Sequence, residues 1–164
     1  IVDWNHWDPR REQIAREQTI ELAPFPGIIA LLEEASTANV PCVVASSSPR
    51  SWVEGHLERL GLRHFFETTR CLDDVAAPKP APELFLTAAE ALSIHPDKAI
   101  VLEDSLNGLN AAKAAGIDCV IVPNRITESL DFTGAAAVLP TLAGVTIRKL
   151  ESIKTGNARD SCMS

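Results

Sequence analysis

The chain has 164 residues, enough for one domain with a sizeable core. Its 22 acidic residues against 15 basic ones give a net charge of −7, a field that repels phosphates and so argues against a nucleic-acid or anionic-membrane surface. Apolar residues make up 46% and charged residues 23%, the balance of an ordinary globular protein.

No apolar run approaches the roughly 20 residues that span a bilayer. The opening "IVDWNHWDPRR" lacks the charged-then-apolar order of a secretory leader. Cys42, Cys71, Cys119 and Cys162 show no metal-type spacing, and Cys42 and Cys119 sit in apolar runs as small hydrophobes. The expected compartment is therefore the reducing cytoplasm.

In chain order, residues 8–22 are charged and free of glycine, which predicts a helix. "APFPG" (23–27) punctuates the chain, and "IIALLEEAS" (28–36) predicts an amphipathic helix with Ile28, Leu31, Leu32 and Ala35 on one face. "VPCVVAS" (40–46) predicts a short strand covered on both faces. Residues 49–62 read as a helix with Pro49 near its start and Gly61 as its stop. "HFFETT" (64–69) is a further strand candidate, and 81–92 a helix with Pro82 in its first turn. "AIVL" (99–102) and "CVIV" (119–122) predict strands that bracket a helix over 106–115, closed by Gly116. The tail after Leu150 is polar and is expected to fray. Strands alternating with helices at these intervals predict βαβ units and a parallel sheet.

In an open parallel sheet, ligands bind beyond the carboxyl ends of the strands. Two stretches fall there: "ASSS" (45–48) and "EDS" (103–105). Glu103 and Asp104 offer hard oxygen ligands suited to Mg²⁺. The same residues also suit a plain helix cap, with Asp104 or Ser105 accepting from the next helix's backbone, and the residues alone leave both readings open. Ser46, Ser47 and Ser48 set hydroxyls and backbone N–H groups at a helix start, which serves either as a phosphate cradle or as simple capping. Lys79, between Pro78 and Pro80, is presented with restricted backbone freedom; it is either a phosphate-neutralising cation or a solvated loop lysine.

Taken together and in this order, "VVASSSPRSWVEGHLERLGL", "DDVAAPKPAPELFLTAAEAL" and "IVLEDSLNGLNAAKAAGIDCVIVPN" resemble the haloacid dehalogenase (HAD) superfamily, in its phosphatase and β-phosphoglucomutase-like branch. The resemblance runs from about Pro26 to about Leu150. It implies a Rossmann-like, three-layer parallel sheet. It also implies that Ser46 binds the transferring phosphoryl oxygens, with Ser47 and Ser48 adding contacts, and that Lys79 stabilises the charge there. Glu103 and Asp104 would hold Mg²⁺, with a small phosphorylated metabolite as substrate. Phosphatase and phosphomutase are both open, as is a non-catalytic phosphate-binding or regulatory module of the same fold.

The family's first motif, a strand ending in D-x-D-G whose leading aspartate is the nucleophile, has no match here. Asp73 and Asp74 follow the serine motif instead of preceding it. Asp3 has the right order, but two residues precede it and Asn5 stands where the acid/base aspartate belongs. Residues 1–22 are accordingly read as the remnant of an α-helical cap, 23–150 as the HAD core and 151–164 as a polar tail. In this family the first strand lies mid-sheet, so its absence predicts two facing open edges; the expectation is an N-terminally truncated chain that is inactive alone, with a separately supplied first strand as the alternative.

Overall fold

The computed structural model describes residue 19 and residues 22–160, the last six by backbone alone. Its elements are α1 (Ile28–Thr37), β1 (Val43–Ala45), α2 (Arg50–Arg59), β2 (Thr68–Arg70), α3 (Glu83–Ala91), β3 (Ile100–Glu103), α4 (Leu106–Ala115), β4 (Asp118–Ile121), β5 (Ala137–Val138) and α5 (Ile147–Asp160). The helix expected over 8–22, and Asp3 with it, lie outside the described residues apart from Thr19 and Leu22.

Every strand pair is parallel, as the alternation of strands and helices predicts. β4 is the buried centre of one sheet, ordered β3-β4-β5. Its Cys119, Val120 and Ile121 are all 2% exposed or less, so a continuous apolar run is what a strand covered on both faces requires. Successive side chains point to opposite faces, and the core divides accordingly. Val101, Cys119 and Ile121 pack with Phe85 of α3 and Leu109, Ala111 and Ala112 of α4. Ile100, Leu102, Val120 and Val122 pack on the other face with Leu31, Leu142 and Leu150. The result is three layers: helices, parallel sheet, helices.

α1 starts at Gly27, whose φ of 92° lies in the left-handed region. A Cβ there would also collide with the Leu142 backbone, so glycine is needed on two counts. The run at 64–69 is shared between a 3₁₀ turn (Arg63–Phe65) and β2, because the Phe66 N–H turns back to the Arg63 carbonyl at 3.2 Å. The segment expected to fray is helical through Asp160 in α5. Leu150 and Ile153 anchor it on the Val120–Val122 side of the sheet, so the packed domain continues past Leu150.

β1 and β2 form a second, two-stranded sheet. Cys42 and Ser46 carry the ladder to β2, through Glu67 N–H to the Cys42 carbonyl at 2.9 Å and Ser46 N–H to the Arg70 carbonyl at 2.8 Å. In a parallel ladder alternate residues bond to one side, so the peptide groups of Val43 and Ala45 face away from β2. By the same rule Glu103, whose carbonyl accepts from Val122 N–H at 2.7 Å, faces β4, and Leu102 faces away. Among the described residues no strand pairs with either of these two edges. Among the described residues the parallel architecture is thus interrupted between β1 and β3.

Candidate active site

Each expected site residue stands at the carboxyl end of a strand or in the loop beside it. β1 runs into Ser46–Ser48, and β3 runs into Glu103 and Asp104. Lys79 comes from the loop before α3 and lies against both. Its ammonium donates to the Ala45 carbonyl at 3.0 Å and is paired with Glu103 Oε1. Its backbone N–H donates to Ser47 Oγ at 3.2 Å. The Phe85 ring lies 4.6 Å from the ammonium and adds a cation–π contact. The lysine and glutamate side chains are only 11% and 9% exposed, so both charges are largely removed from water and each needs the other.

Glu103 is held on both oxygens. Besides Lys79 on Oε1, its Oε2 accepts the Asp104 N–H at 3.1 Å and the Ser105 hydroxyl at 3.0 Å. Ser105 in turn accepts from Gly108 N–H at 3.0 Å and so caps α4. Of the two cap candidates, Ser105 caps the helix, and the Asp104 carboxylate makes no cap bond among the described residues. Gly108 lies directly over the Glu103 carboxylate, where a Cβ would collide with it.

Asp104 is exposed, and its Oδ2 accepts from Asn124 Nδ2 at 2.8 Å. Beside it an open cleft of about 270 Å³ is lined by Phe25, Ile28, Leu102, Val122 and Leu142 with the two acids. Among the described residues no group of three His, Cys, Asp or Glu side chains converges to hold a metal alone.

The serine loop is fastened from behind. The Ser48 N–H donates to Ser46 Oγ at 3.1 Å, and the Ser48 carbonyl accepts from Leu72 N–H at 3.1 Å. The Arg50 guanidinium donates to Thr69 Oγ1 at 2.8 Å and to both Asp74 oxygens at 2.5 Å. Asp73 Oδ2 accepts the Arg50 N–H at 2.7 Å, at the first turn of α2. The Cys71 N–H first, and then the Arg50 charge, hold the Asp74 carboxyl below its ordinary range. The two aspartates that come too late to be nucleophiles thus brace the serine loop.

The structure therefore brings Ser46–Ser48, Lys79, Glu103 and Asp104 to one rim. Asn124 was missed in the sequence; its one signal there is its place after the apolar run 119–122, at the same strand-end level as Asp104. Burial raises the Cys119 thiol to about 12, so it supplies no thiolate nucleophile near neutral pH. No helix among the described residues is long and apolar enough to cross a membrane.

Comparison with known proteins bears on this rim. Residues 4–122 match the family model described as haloacid dehalogenase-like hydrolase. YhcW of Bacillus subtilis is 46% identical over 123 residues, covering 75% of this chain and 56% of that protein. The crystal structure of CbbY from Rhodobacter sphaeroides in complex with phosphate superposes with a TM-score of 0.80 at 34% identity, over 88% of this chain and 68% of that one. A CbbY mutant was solved in complex with xylulose-(1,5)bisphosphate. β-Phosphoglucomutase from Clostridium difficile, at 22% identity and a TM-score of 0.75, covering 94% of this chain and 71% of its own, shares the fold. The chain spans about half the length of the curated relatives it matches, from 48% to 56% among the first three.

Proposed function

The chain belongs to the haloacid dehalogenase-like hydrolase family, and we propose that its rim is the phosphate- and cation-holding part of a Mg²⁺-dependent phosphoryl-transfer site for a small phosphorylated metabolite. The observation that carries this is the continuous contact from Ser47 through Lys79 and Glu103 to Asp104, which joins the carboxyl ends of two separate sheets. A scaffold has no need of a nearly buried lysine at that place.

In this reading the Lys79 ammonium and the Ser46 hydroxyl face the transferring phosphoryl group, whose negative charge they stabilise. Phe85 and Glu103 fix the lysine, so it does not reorganise as charge develops. The donor set suits Mg²⁺ in kind: Asp104 is exposed, and its Oδ1 has no partner among the described residues. Glu103 reaches a cation only by loosening Lys79 or Ser105, so Asp104 is the principal protein ligand this rim offers, with Glu103 beside it. Mg²⁺ bound there would polarise the phosphoryl oxygens and offset their charge.

The covalent acceptor is assigned to an aspartate on a parallel strand filling the gap between β1 and β3. Its carboxylate attacks phosphorus and the ester oxygen departs with a proton from a neighbouring acid. Water, in a phosphatase, or a second hydroxyl, in a mutase, then takes the phosphoryl group from the aspartyl phosphate. The CbbY complexes with phosphate and with a sugar bisphosphate support a sugar phosphate as the substrate class. The free thiols of Cys42, Cys71 and Cys119 support a reducing compartment such as the cytoplasm.

The test is a ¹H–¹⁵N NMR titration with inorganic phosphate and Mg²⁺. Shifts confined to the amides of Ser46–Ser48, Lys79 and Asp104, and lost in Lys79→Met, are expected. Shifts elsewhere, or none, would reject the phosphate site.

A further inference from the structure

We propose that Asn124 is a positioning residue for Asp104: its carboxamide fixes one carboxylate oxygen so that the other is presented to the cation. The inference rests on the reading of this rim as a Mg²⁺ seat. Its own evidence is the way Asn124 is held.

Asn124 Oδ1 accepts two backbone N–H groups, from Ile126 at 2.7 Å and from Thr127 at 3.2 Å. An amide nitrogen could not accept either bond, so the carboxamide has one allowed orientation and Nδ2 must point outward. There it meets Asp104 Oδ2 at 2.8 Å. The backbone is pinned as well: Asn124 N–H donates to Thr127 Oγ1 at 3.1 Å, and the Asn124 carbonyl accepts from Glu128 N–H at 2.9 Å. The donor is thus rigid before any ligand arrives. Asp104, by contrast, is exposed and has no other side-chain partner among the described residues. Without Asn124 its χ angles are free, and a cation must restrict them on binding.

The arrangement also divides labour at the strand ends. Ser105 keeps the α4 cap, Lys79 keeps Glu103, and Asn124 keeps Asp104 Oδ2, so that Asp104 Oδ1 is left without a partner among the described residues. Outer partners of this kind, when removed, cost about 10-fold or more in metal affinity.

The experiment is a Mn²⁺ titration of the chain, read by paramagnetic broadening of backbone amide signals. Asn124→Ser keeps an oxygen that can accept within the turn but is too short to reach Asp104. Thr127→Val loosens the same turn yet leaves the Asn124–Asp104 bond in place. Expected are broadening centred on Asp104 in the unmodified chain, an apparent affinity about 10-fold weaker in Asn124→Ser, and an unchanged one in Thr127→Val. Amides of Cys119–Ile121 should keep their positions in both variants, which reports an intact fold. Equal affinity in the unmodified chain and Asn124→Ser would overturn the role of Asn124 and leave the metal seat standing. Equal losses in both variants would reduce Asn124 to a turn residue. Absence of broadening at Asp104 in the unmodified chain would overturn the metal seat and this inference together.

Discussion

Lys79 is paired with Glu103 across the interruption in the sheet: the lysine also binds the carbonyl at the end of β1, while the glutamate ends β3. One nearly buried ion pair therefore links the two parts of the parallel architecture at the candidate rim.

That link has a stability consequence. Removing one partner of a buried pair strands the other charge, at a cost of about 3–5 kcal/mol. Lys79→Met and Glu103→Gln should each lower the urea midpoint substantially. The double variant should be less destabilised than the sum of the two, because neither charge is then left alone. Additive effects in this cycle would show that the pair is not coupled in solution.

Gly108→Ala reads the same site from above. The added methyl has to displace the Glu103 carboxylate, and overpacking of this kind costs about 1–3 kcal/mol. Asn107→Ala, one residue earlier on α4, is the control and should cost far less. The expected signature is a shifted Lys79 side-chain NMR signal in Gly108→Ala and an undisturbed one in Asn107→Ala.

The brace behind the serine loop predicts a pH dependence. The Asp74 carboxyl is held below its ordinary value of 3.8 in the folded chain, first by the Cys71 N–H. The unfolded chain therefore binds the proton more readily, and unfolding takes up protons on the acid side. The contribution is fully present above the unfolded value and is lost as pH falls through the lower, folded one. Asp74→Asn should be less stable than the parent at neutral pH, and its midpoint should fall less steeply below about pH 4. A parallel decline in both proteins would remove Asp74 from the account.

Much of this was legible in the sequence, for identifiable reasons. β3 and β4 announce themselves because buried parallel strands are continuous apolar runs, and the residues that end them fall on the rim where open parallel sheets generally take ligands. Ser46, Lys79, Glu103 and Asp104 stood out by place, after such runs or between prolines, but singly each also fits a cap or a solvated side chain, and their joint reading came only from the family resemblance. What stayed hidden is contact between distant positions. Arg50 and Asp74 are 24 residues apart, and Asn124 and Asp104 are 20 apart; no local pattern links either pair. The continuation of α5 past Leu150 was hidden differently. Its polar composition masks the three-residue spacing of Ile147, Leu150 and Ile153 that seats it on the sheet.

The central claim is that this chain holds the phosphate- and cation-binding groups of a phosphoryl-transfer site, but that the acceptor belongs to a strand between β1 and β3. The most direct measurement is turnover of a panel of sugar phosphates and phosphoglycolate with Mg²⁺, by the 164-residue chain and by a form extended at its N-terminus with a strand ending in D-x-D. The account predicts no turnover by the chain alone. It predicts turnover by the extended form that is abolished by chelation and cut sharply by Asp104→Asn. Comparable turnover by the 164-residue chain would contradict it, and Asp3→Asn would then show whether the acceptor lies within these residues after all.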